Sequence, residues 1–255
     1  MSTSFKPMFI LMYDPTIIIL TAYSTIIFAC LYFLNPTITD TFEKIYGYNE
    51  WQVGLCYLPL GAGFLVGSIL SGKHSDYILT KLSQGSNVKS EMRLQAALPS
   101  FILIPIGYLI YGWTTQKRTD VYGPLIGLFV YALGQMWAFT PISVYLVDTK
   151  PGYSATAVGV NSFVRCIGAA ITSIFSSSVV AALGNGVLFS ILAAVNILNA
   201  GLVISCYFFG YQWRKRFEEK HMPNLWSKSE PLEKINSKHD IEKIETNHSI
   251  CYSIA

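Results

Sequence analysis

The stretch WQVGLCYLPLGAGFLVGSILSG, from Trp51 to Gly72, contains no charged side chain. A helix needs about 20 predominantly apolar residues to cross the hydrocarbon core of a bilayer. Within the stretch, Gly63 and Gly67 stand at the spacing that lets two helix backbones approach closely. The stretch is therefore predicted to be a membrane-spanning helix that packs tightly against a neighbouring span.

The composition of the whole chain agrees with a membrane protein. Of its 255 residues, 52% are hydrophobic and 13% are charged, and the mean hydropathy is +0.41. A soluble domain carries roughly 25% charged residues. The Lys and Arg side chains follow the loops and form no basic patch, so no nucleic-acid partner is expected.

Six nearly uncharged segments precede residue 214, and they predict an all-α membrane protein with six transmembrane helices. The expected spans are approximately residues 15–35, 51–71, 95–115, 122–146, 155–182 and 187–210. The first is expected to end at Asn35 and Pro36, and a tight turn at 184–186 should join the last two. Residues 1–213 would form the transmembrane domain, and 214–255 a polar tail whose composition predicts disorder.

The orientation follows from the Lys and Arg residues beside the spans. With the N-terminus in the cytoplasm, ten of them lie on the inner side and three on the outer side. Cytoplasmic loops carry the excess of Lys and Arg in membrane proteins. Both termini are therefore predicted to be cytoplasmic, and the Asn247 sequon should remain unglycosylated.

No motif supports an enzyme. Gly67 to Lys73 fits the phosphate-loop pattern GxxxxGK, but His74 stands where a Ser or Thr belongs and a membrane helix precedes it where a strand is needed. No catalytic or metal-ligand spacing occurs, and the five cysteines follow no paired spacing. Neither a catalytic site, a metal site nor a cofactor is predicted.

Two other transport folds with six spans were weighed by their signatures. An aquaporin-like channel needs two Asn-Pro-Ala motifs, whereas this chain has the single sequence Asn35-Pro36-Thr37. A mitochondrial carrier needs three Pro-x-Asp/Glu-x-x-Lys/Arg signatures, and the sequence contains none. Both folds are disfavoured.

Two segments resemble a known family. Gly72-Lys73-His74-Ser75-Asp76 resembles the G-x-x-x-D loop motif of major facilitator transporters. The second segment is similar to the span ten to span eleven region of fungal drug:proton antiporters of the twelve-span type. It comprises Pro141 to Asp148, Pro151, Ser154 to Ala157, Asn161, Arg165, Gly168 and Ala169. Over residues 7–213 the chain resembles spans seven to twelve, the C-terminal half of such a transporter.

The resemblance implies how the chain works. Two six-span halves of a facilitator close around a site near the bilayer midplane and move substrate by alternating access. The implied partners are the lipid bilayer, a small organic substrate, the proton and either a complementary six-span half or a second copy of the chain. The implied location is the plasma membrane. The competing interpretation is a truncated, non-transporting membrane protein, or an interaction partner of a complementary half.

Arg165 is the only charge inside a predicted span, and an intramembrane Arg costs about 2.5 to 3.5 kcal/mol even on the insertion scale. It would either face the cavity with Asn161 one helical turn away, or reach back to Asp148 as a structural clamp. The clamp is slightly favoured. Asp14, beside Pro15, is expected to be a helix N-cap and not a proton carrier.

The remaining candidates come from the resemblance. The chain has 36 aromatic residues, so many of them are expected only to pack or to lie at the membrane interfaces. Asp76 is expected to attract a helix N-terminus of the other half. The cavity candidates beside Arg165 and Asn161 are Gln135, Tyr131, Tyr57 and Tyr23, with Trp137 also considered, and the structural or gating motif comprises Gly72, Asp76 and Asp148.

Overall fold

A computed structural model describes residues 13–83, 90–149 and 154–221 of the chain. The described residues form helices and no strand, and six helical stretches among them are long and apolar enough to cross a membrane. The helices are α1 (Pro15–Lys44), α2 (Glu50–Cys56), α3 (Leu58–Ser83), a 3-10 helix (Ser90–Ala97), α4 (Ser100–Gln116), α5 (Tyr122–Thr149), α6 (Ser154–Leu183) and α7 (Asn185–His221). The predicted six-span all-α fold is confirmed.

Helix α1 does not end at Asn35 and Pro36 as predicted, but continues through Pro36 to Lys44. A proline removes one backbone hydrogen bond, yet side chains and neighbouring helices can satisfy the carbonyl groups around it. The carbonyl oxygen of Phe33 accepts from Thr37 Oγ1 at 3.0 Å and from Ser176 Oγ of α6 at 2.7 Å. These contacts stabilise α1 beside Pro36, although the carbonyl group that loses its backbone donor to the proline is that of Tyr32.

Two further boundaries differ from the sequence-based expectation. The motif from Gly72 to Asp76, expected in a loop, lies within α3, because no Pro or Gly interrupts the chain between Lys73 and Ser83. Helix α7 runs through the predicted domain boundary at residue 213 as far as His221. The rest of the predicted tail lies outside the described residues, so that boundary stays a prediction.

The turn between the last two spans has the predicted position. Helix α6 ends at Leu183 and α7 begins at Asn185, so one residue connects them. That residue, Gly184, has φ +75°, a left-handed conformation that glycine adopts without a steric penalty. The sequence therefore located this turn correctly.

The helices pack in a repeated arrangement. Helix α1 packs against α6 and α7, α4 packs against α5 and α7, and α5 packs against α3. If α1 is exchanged with α5, α3 with α6 and α4 with α7, the same pairs of helices are in contact. Such internal repeats of three spans are typical of transporter folds. In this arrangement α1 and α5 lie at the centre of one face of the bundle, and α3 and α6 flank them.

Glycines allow the closest helix contacts. A Cβ atom added at Gly63 would lie 2.7 Å from Ala132 Cβ, and one added at Gly67 would lie 2.9 Å from the carbonyl oxygen of Leu133. Both contacts join α3 to α5, so the predicted close packing of this glycine pair is confirmed. Gly107 brings α4 equally near to α5, with Tyr131 N 2.5 Å from its added Cβ.

Helices α3 and α6 are the least covered of the spans. In the most apolar stretch of each span, the buried share is 28% in the second span and 17% in α6, whereas it is 50% in α1, α4 and α5. Their exposed side chains include Leu65 at 70% exposure and Ile174 at 75%. The two flanking helices thus present wide apolar surfaces outside the bundle.

An aromatic cluster ties together the connections at the end of the bundle opposite the start of α1. The rings of Phe42, Tyr46 and Tyr48 lie 5.5 to 6.2 Å apart. The hydroxyl of Tyr46 donates to the carbonyl oxygen of Thr119 at 2.8 Å. Partial burial, with Tyr48 and Asp120 nearby, raises the pKa of Tyr46, so its phenol keeps the proton that this hydrogen bond needs.

Candidate functional site

Arg165 lies on α6 where this helix meets α1 and α5. Its guanidinium carbon is 4.0 Å from the ring centroid of Phe28 on α1 and 4.6 Å from that of Phe139 on α5. The two rings are 5.5 Å apart. A cation over an aromatic face gains about 0.5 to 1 kcal/mol at exposed sites and about 2 kcal/mol when desolvated. Two rings from two other spans therefore hold this charge in place.

The favoured clamp between Arg165 and Asp148 is not formed. Arg165 lies about 16 Å along α6 from its first residue at the usual helical rise, so its side chain does not reach back to the end of α5. Its Nε and Nη1 atoms are buried and have no hydrogen-bond partner. The two rings thus stabilise the guanidinium, while two of its nitrogens make no hydrogen bond.

Asn161 lies one helical turn before Arg165, as the alternative interpretation required, and is 1% exposed. Its Oδ1 accepts a hydrogen bond from Ser24 Oγ of α1 at 2.6 Å. Ser24 and Phe28 are also one turn apart, so α1 and α6 run parallel and meet at two successive turns. The structure therefore brings Asn161 and Arg165 together, with the oxygen of Asn161 already bonded within the protein.

Gln135 lies on α5 one turn before Phe139 and is fully buried. Neither its Oε1 nor its Nε2 has a hydrogen-bond partner. An unpartnered polar group in a buried site costs about 1 to 3 kcal/mol. Gln135 thus remains a candidate site residue on the helix that carries one ring of the Arg165 site.

The three tyrosine candidates lie in different packing contacts. Tyr131 packs against Tyr108 of α4, with ring centroids 4.5 Å apart, and Tyr23 meets the edge of Phe101 at 6.5 Å. The hydroxyl of Tyr57 donates to the carbonyl oxygen of Asn35 at 2.9 Å and lies 3.1 Å from Thr39 Oγ1. These tyrosines join spans to one another in this structure.

Of the expected gating motif, Gly72 and Asp76 lie within α3, and Asp148 lies at the end of α5. Asp76 is exposed in the final turns of α3, and Asp148 is exposed at the end of α5. Gly72 has no heavy atom within 4 Å of an added Cβ. The interaction of Asp76 with another half stays a prediction. Asp14 does act as an N-cap, since its side chain accepts from Thr16 N at 3.0 Å.

Sequence reasoning missed Phe28, Phe139 and Ser24. Nothing in the sequence distinguishes these residues from the other aromatic and small residues of the spans, because their importance comes from which helix faces which. A shallow apolar hollow between α1 and α5 has no room for a water molecule. It is lined by Tyr23, Ser24, Ile27, Phe28, Ala138, Phe139 and Ile142.

The model of the Major Facilitator Superfamily matches residues 2–173. The chain belongs to this superfamily. The members similar to it are transporters, so the prediction that the chain is not an enzyme is confirmed. The six apolar helices make this superfamily member a multi-pass membrane protein.

Several fungal members of the superfamily are similar to this chain. The MFS-type transporter penM of Penicillium rubens is 32% identical over 82% of the chain and 41% of its own length. The MFS antiporter QDR3 of Candida albicans is 31% identical over 82% of the chain and 30% of its own length. The efflux pump radE of Floropilus chiversii is 30% identical over 84% of the chain and 41% of its own length. The chain thus spans less than half the length of these relatives.

The ring contacts of Arg165 predict an energetic coupling. Replacing both Phe28 and Phe139 with Leu should lower the free energy of unfolding by about 2 kcal/mol more in the presence of Arg165 than in Arg165→Gln. Denaturant unfolding of the purified variants in detergent measures this coupling. As a control, Asp148→Asn and Arg165→Gln should be additive. The observed geometry would be contradicted if the ring substitutions and Arg165→Gln lowered stability additively while Asp148→Asn and Arg165→Gln were coupled.

Proposed function

We propose that this chain is one half of a transporter, corresponding to spans seven to twelve, that moves small organic molecules in exchange for protons by alternating access. The observation that carries the proposal is the broad apolar surface of α3 and α6 on either side of α1 and α5. A facilitator has two such halves around a central site. The names of the similar proteins QDR3, an antiporter, and radE, an efflux pump, support an exporter.

The proton-binding group is proposed to lie in the complementary half. A proton-coupled carrier needs an acidic group that alternately faces the two sides, and such groups lie within the spans. Among the described residues, the acidic side chains lie near helix ends and not in the middle of a span. Those with described side chains are Asp14, Asp40, Glu43, Glu50, Asp76, Asp120 and Asp148, and Glu91, Glu218 and Glu219 lie by sequence near the ends of the 3-10 helix and of α7.

The proposal extends to location and organisation. The chain is proposed to lie in the plasma membrane with both termini in the cytoplasm, because the Lys and Arg residues favour one side. Residues 1–213 would be its membrane domain, with 214–255 as the cytoplasmic extension. The second candidate is a membrane protein that associates with a complementary half without transport, and the same exposed surface of α3 and α6 favours it.

The test is complementation in yeast cells that lack their own drug exporters. The chain is expressed alone, and together with the first six spans of a similar fungal transporter. We expect resistance to an exported compound only when both halves are present. Resistance from the chain alone would contradict the half-transporter proposal. Folded, associated halves without resistance would favour the second candidate.

A matched pair of variants tests whether α3 is the docking surface. Leu65 of α3 is 70% exposed and Leu198 of α7 is 79% exposed. Leu65→Trp should block assembly of the halves and abolish resistance, because the larger ring prevents close packing there. Leu198→Trp should leave resistance unchanged, since α7 lies away from the proposed contact.

A further inference from the structure

A cavity of about 290 Å³ lies between the start of α4, the 3-10 helix that precedes it and the last part of α7. The wall from α7 consists of Val203, Ile204, Tyr207 and Phe208. The opposite wall comes from the 3-10 helix, Leu98 and Phe101. Unlike the hollow between α1 and α5, this cavity has room for a ligand.

The walls of the cavity are almost entirely apolar. Two polar side chains border it, Gln95 and Tyr207, and they are bonded to each other, because the amide nitrogen of Gln95 donates to the hydroxyl oxygen of Tyr207. A cavity lined by Leu, Ile and Phe side chains stays dry and binds apolar molecules. The part of a ligand that enters this cavity is therefore hydrocarbon.

The cavity opens on the outer surface of the bundle. Among its lining residues, Leu98 is 52% exposed, Ile204 is 42% exposed and Phe208 is 66% exposed. This surface belongs to α4 and α7, whereas the proposed contact with a complementary half belongs to α3 and α6. In a membrane it faces lipid, so the hydrocarbon available to fill the cavity is an acyl chain.

The cavity also lies close to the polar boundary of one leaflet. The third apolar stretch of the chain begins at Leu94, and the sixth ends at Gly210. Tyrosine is enriched where hydrocarbon meets water, and Tyr207 lies at this level. A phospholipid whose chain enters the cavity would therefore have its headgroup beside the part of α7 that continues past Gly210.

Basic residues occupy that part of α7. Arg214 and Lys215 come seven residues after Tyr207 and Phe208, which is two helical turns, or about 10 Å, along the same face of the helix. The charged residues that follow are Arg216, Glu218, Glu219 and Lys220, with both Glu residues one turn farther from the cavity than Arg214 and Lys215. Lys and Arg residues directly beyond a membrane helix attract anionic headgroups.

We propose that this cavity binds one acyl chain of an anionic phospholipid, whose headgroup lies beside Arg214 and Lys215. The apolar walls bind the chain, and the two cations select the charge of the headgroup. The site goes beyond the proposed transport function, because it lies on the lipid-facing side of α4 and α7 and needs no complementary half.

The test measures lipid binding to the purified chain by native mass spectrometry. The probes are dioleoylphosphatidylserine, dioleoylphosphatidylcholine and glycerophosphoserine, which has the anionic headgroup without acyl chains. We expect phosphatidylserine to bind about 10-fold more tightly than phosphatidylcholine. Glycerophosphoserine should not bind at the same concentration. If it bound as tightly as phosphatidylserine, the cavity would have no role and the proposal would be rejected.

Ile204→Trp tests the cavity, because the larger side chain fills the space of the acyl chain. It should weaken the binding of phosphatidylserine by about 10-fold. Ile197→Trp is the matched control, since Ile197 is 57% exposed two turns earlier on α7 and does not line the cavity. Equally tight binding by the wild type and Ile204→Trp would overturn the proposal.

The double change of Arg214→Gln and Lys215→Gln tests the charge and leaves the cavity walls intact, so it remains informative if Ile204→Trp fails to fold. It should remove the preference for phosphatidylserine over phosphatidylcholine. Lys117→Gln with Arg118→Gln, which neutralises two adjacent cations after the end of α4, should keep that preference. A preference that persisted without Arg214 and Lys215 would reject the assigned headgroup position.

The same assay distinguishes two other occupants of the cavity. Displacement of phosphatidylserine by an equal concentration of ergosterol would assign the cavity to a sterol. Binding of phosphatidylserine only after removal of residues 1–12, which include an apolar run at 8–12, would assign it to a segment of the chain itself. Either result would reject the proposal, as would the absence of phospholipid binding by the folded wild type.

Discussion

Gly107→Ala is expected to remove most of the folded protein. A Cβ atom at this position would lie 2.5 Å from Tyr131 N and 2.6 Å from Tyr131 Cα, both of them backbone atoms that no rotamer change can move. Helices α4 and α5 would have to separate along one of the most extensive contacts of the bundle. Overpacking of this kind costs on the order of 3 kcal/mol. Unfolding in detergent, followed by circular dichroism, measures the loss.

Gly201→Ala is the matched control for this change. Gly201 lies within α7, and no heavy atom lies within 4 Å of its added Cβ. The same substitution should therefore leave stability unchanged or raise it slightly, because alanine favours the helix. Equal losses at the two glycines would show that helix flexibility, and not the contact of α4 with α5, makes Gly107 important.

Gln135→Leu is expected to stabilise the protein. Both amide atoms of Gln135 are buried without a partner, and replacing such a group with an apolar side chain of similar size removes the desolvation penalty. The free energy of unfolding should rise by about 1 to 2 kcal/mol, measured by the same denaturant titration. If Gln135 contacts substrate, resistance in the complementation assay should fall at the same time.

Asn161→Leu provides the comparison, since this amide is equally buried but bonded. Its Oδ1 accepts from Ser24 Oγ, and the substitution would leave that hydroxyl without this acceptor. Stability should therefore fall by about 1 kcal/mol. A loss of stability in Gln135→Leu as large as that in Asn161→Leu would show that Gln135 has a hydrogen-bond partner in the membrane.

The sequence by itself determined the fold class of this protein. Runs of about 20 apolar residues without charge admit few structures other than membrane helices, because every backbone polar group must be bonded inside the bilayer. Local signals also located the turn at Gly184 and the N-cap at Asp14, and the spacing of Gly63 and Gly67 indicated a close helix contact. Each of these features depends on residues that are near one another in the chain.

Helix ends were less predictable where tertiary contacts replaced local rules. Pro36 is a helix-ending signal, but α1 continues past it, and beside it Thr37 and Ser176 bond to the carbonyl oxygen of Phe33. Ser176 is far along the chain in α6. No local pattern could show that this hydroxyl would be available.

Only the tertiary structure decided the surroundings of Arg165. The sequence showed that a charge lies inside a span, and the nearest acidic residue along the chain, Asp148, suggested an ion pair. The structure instead places Phe28 and Phe139 against the guanidinium, because α1, α5 and α6 meet at its depth. Apolar residues occupy every face of a membrane helix, so the sequence does not show which face meets which neighbour, and that choice is made when the six helices pack together.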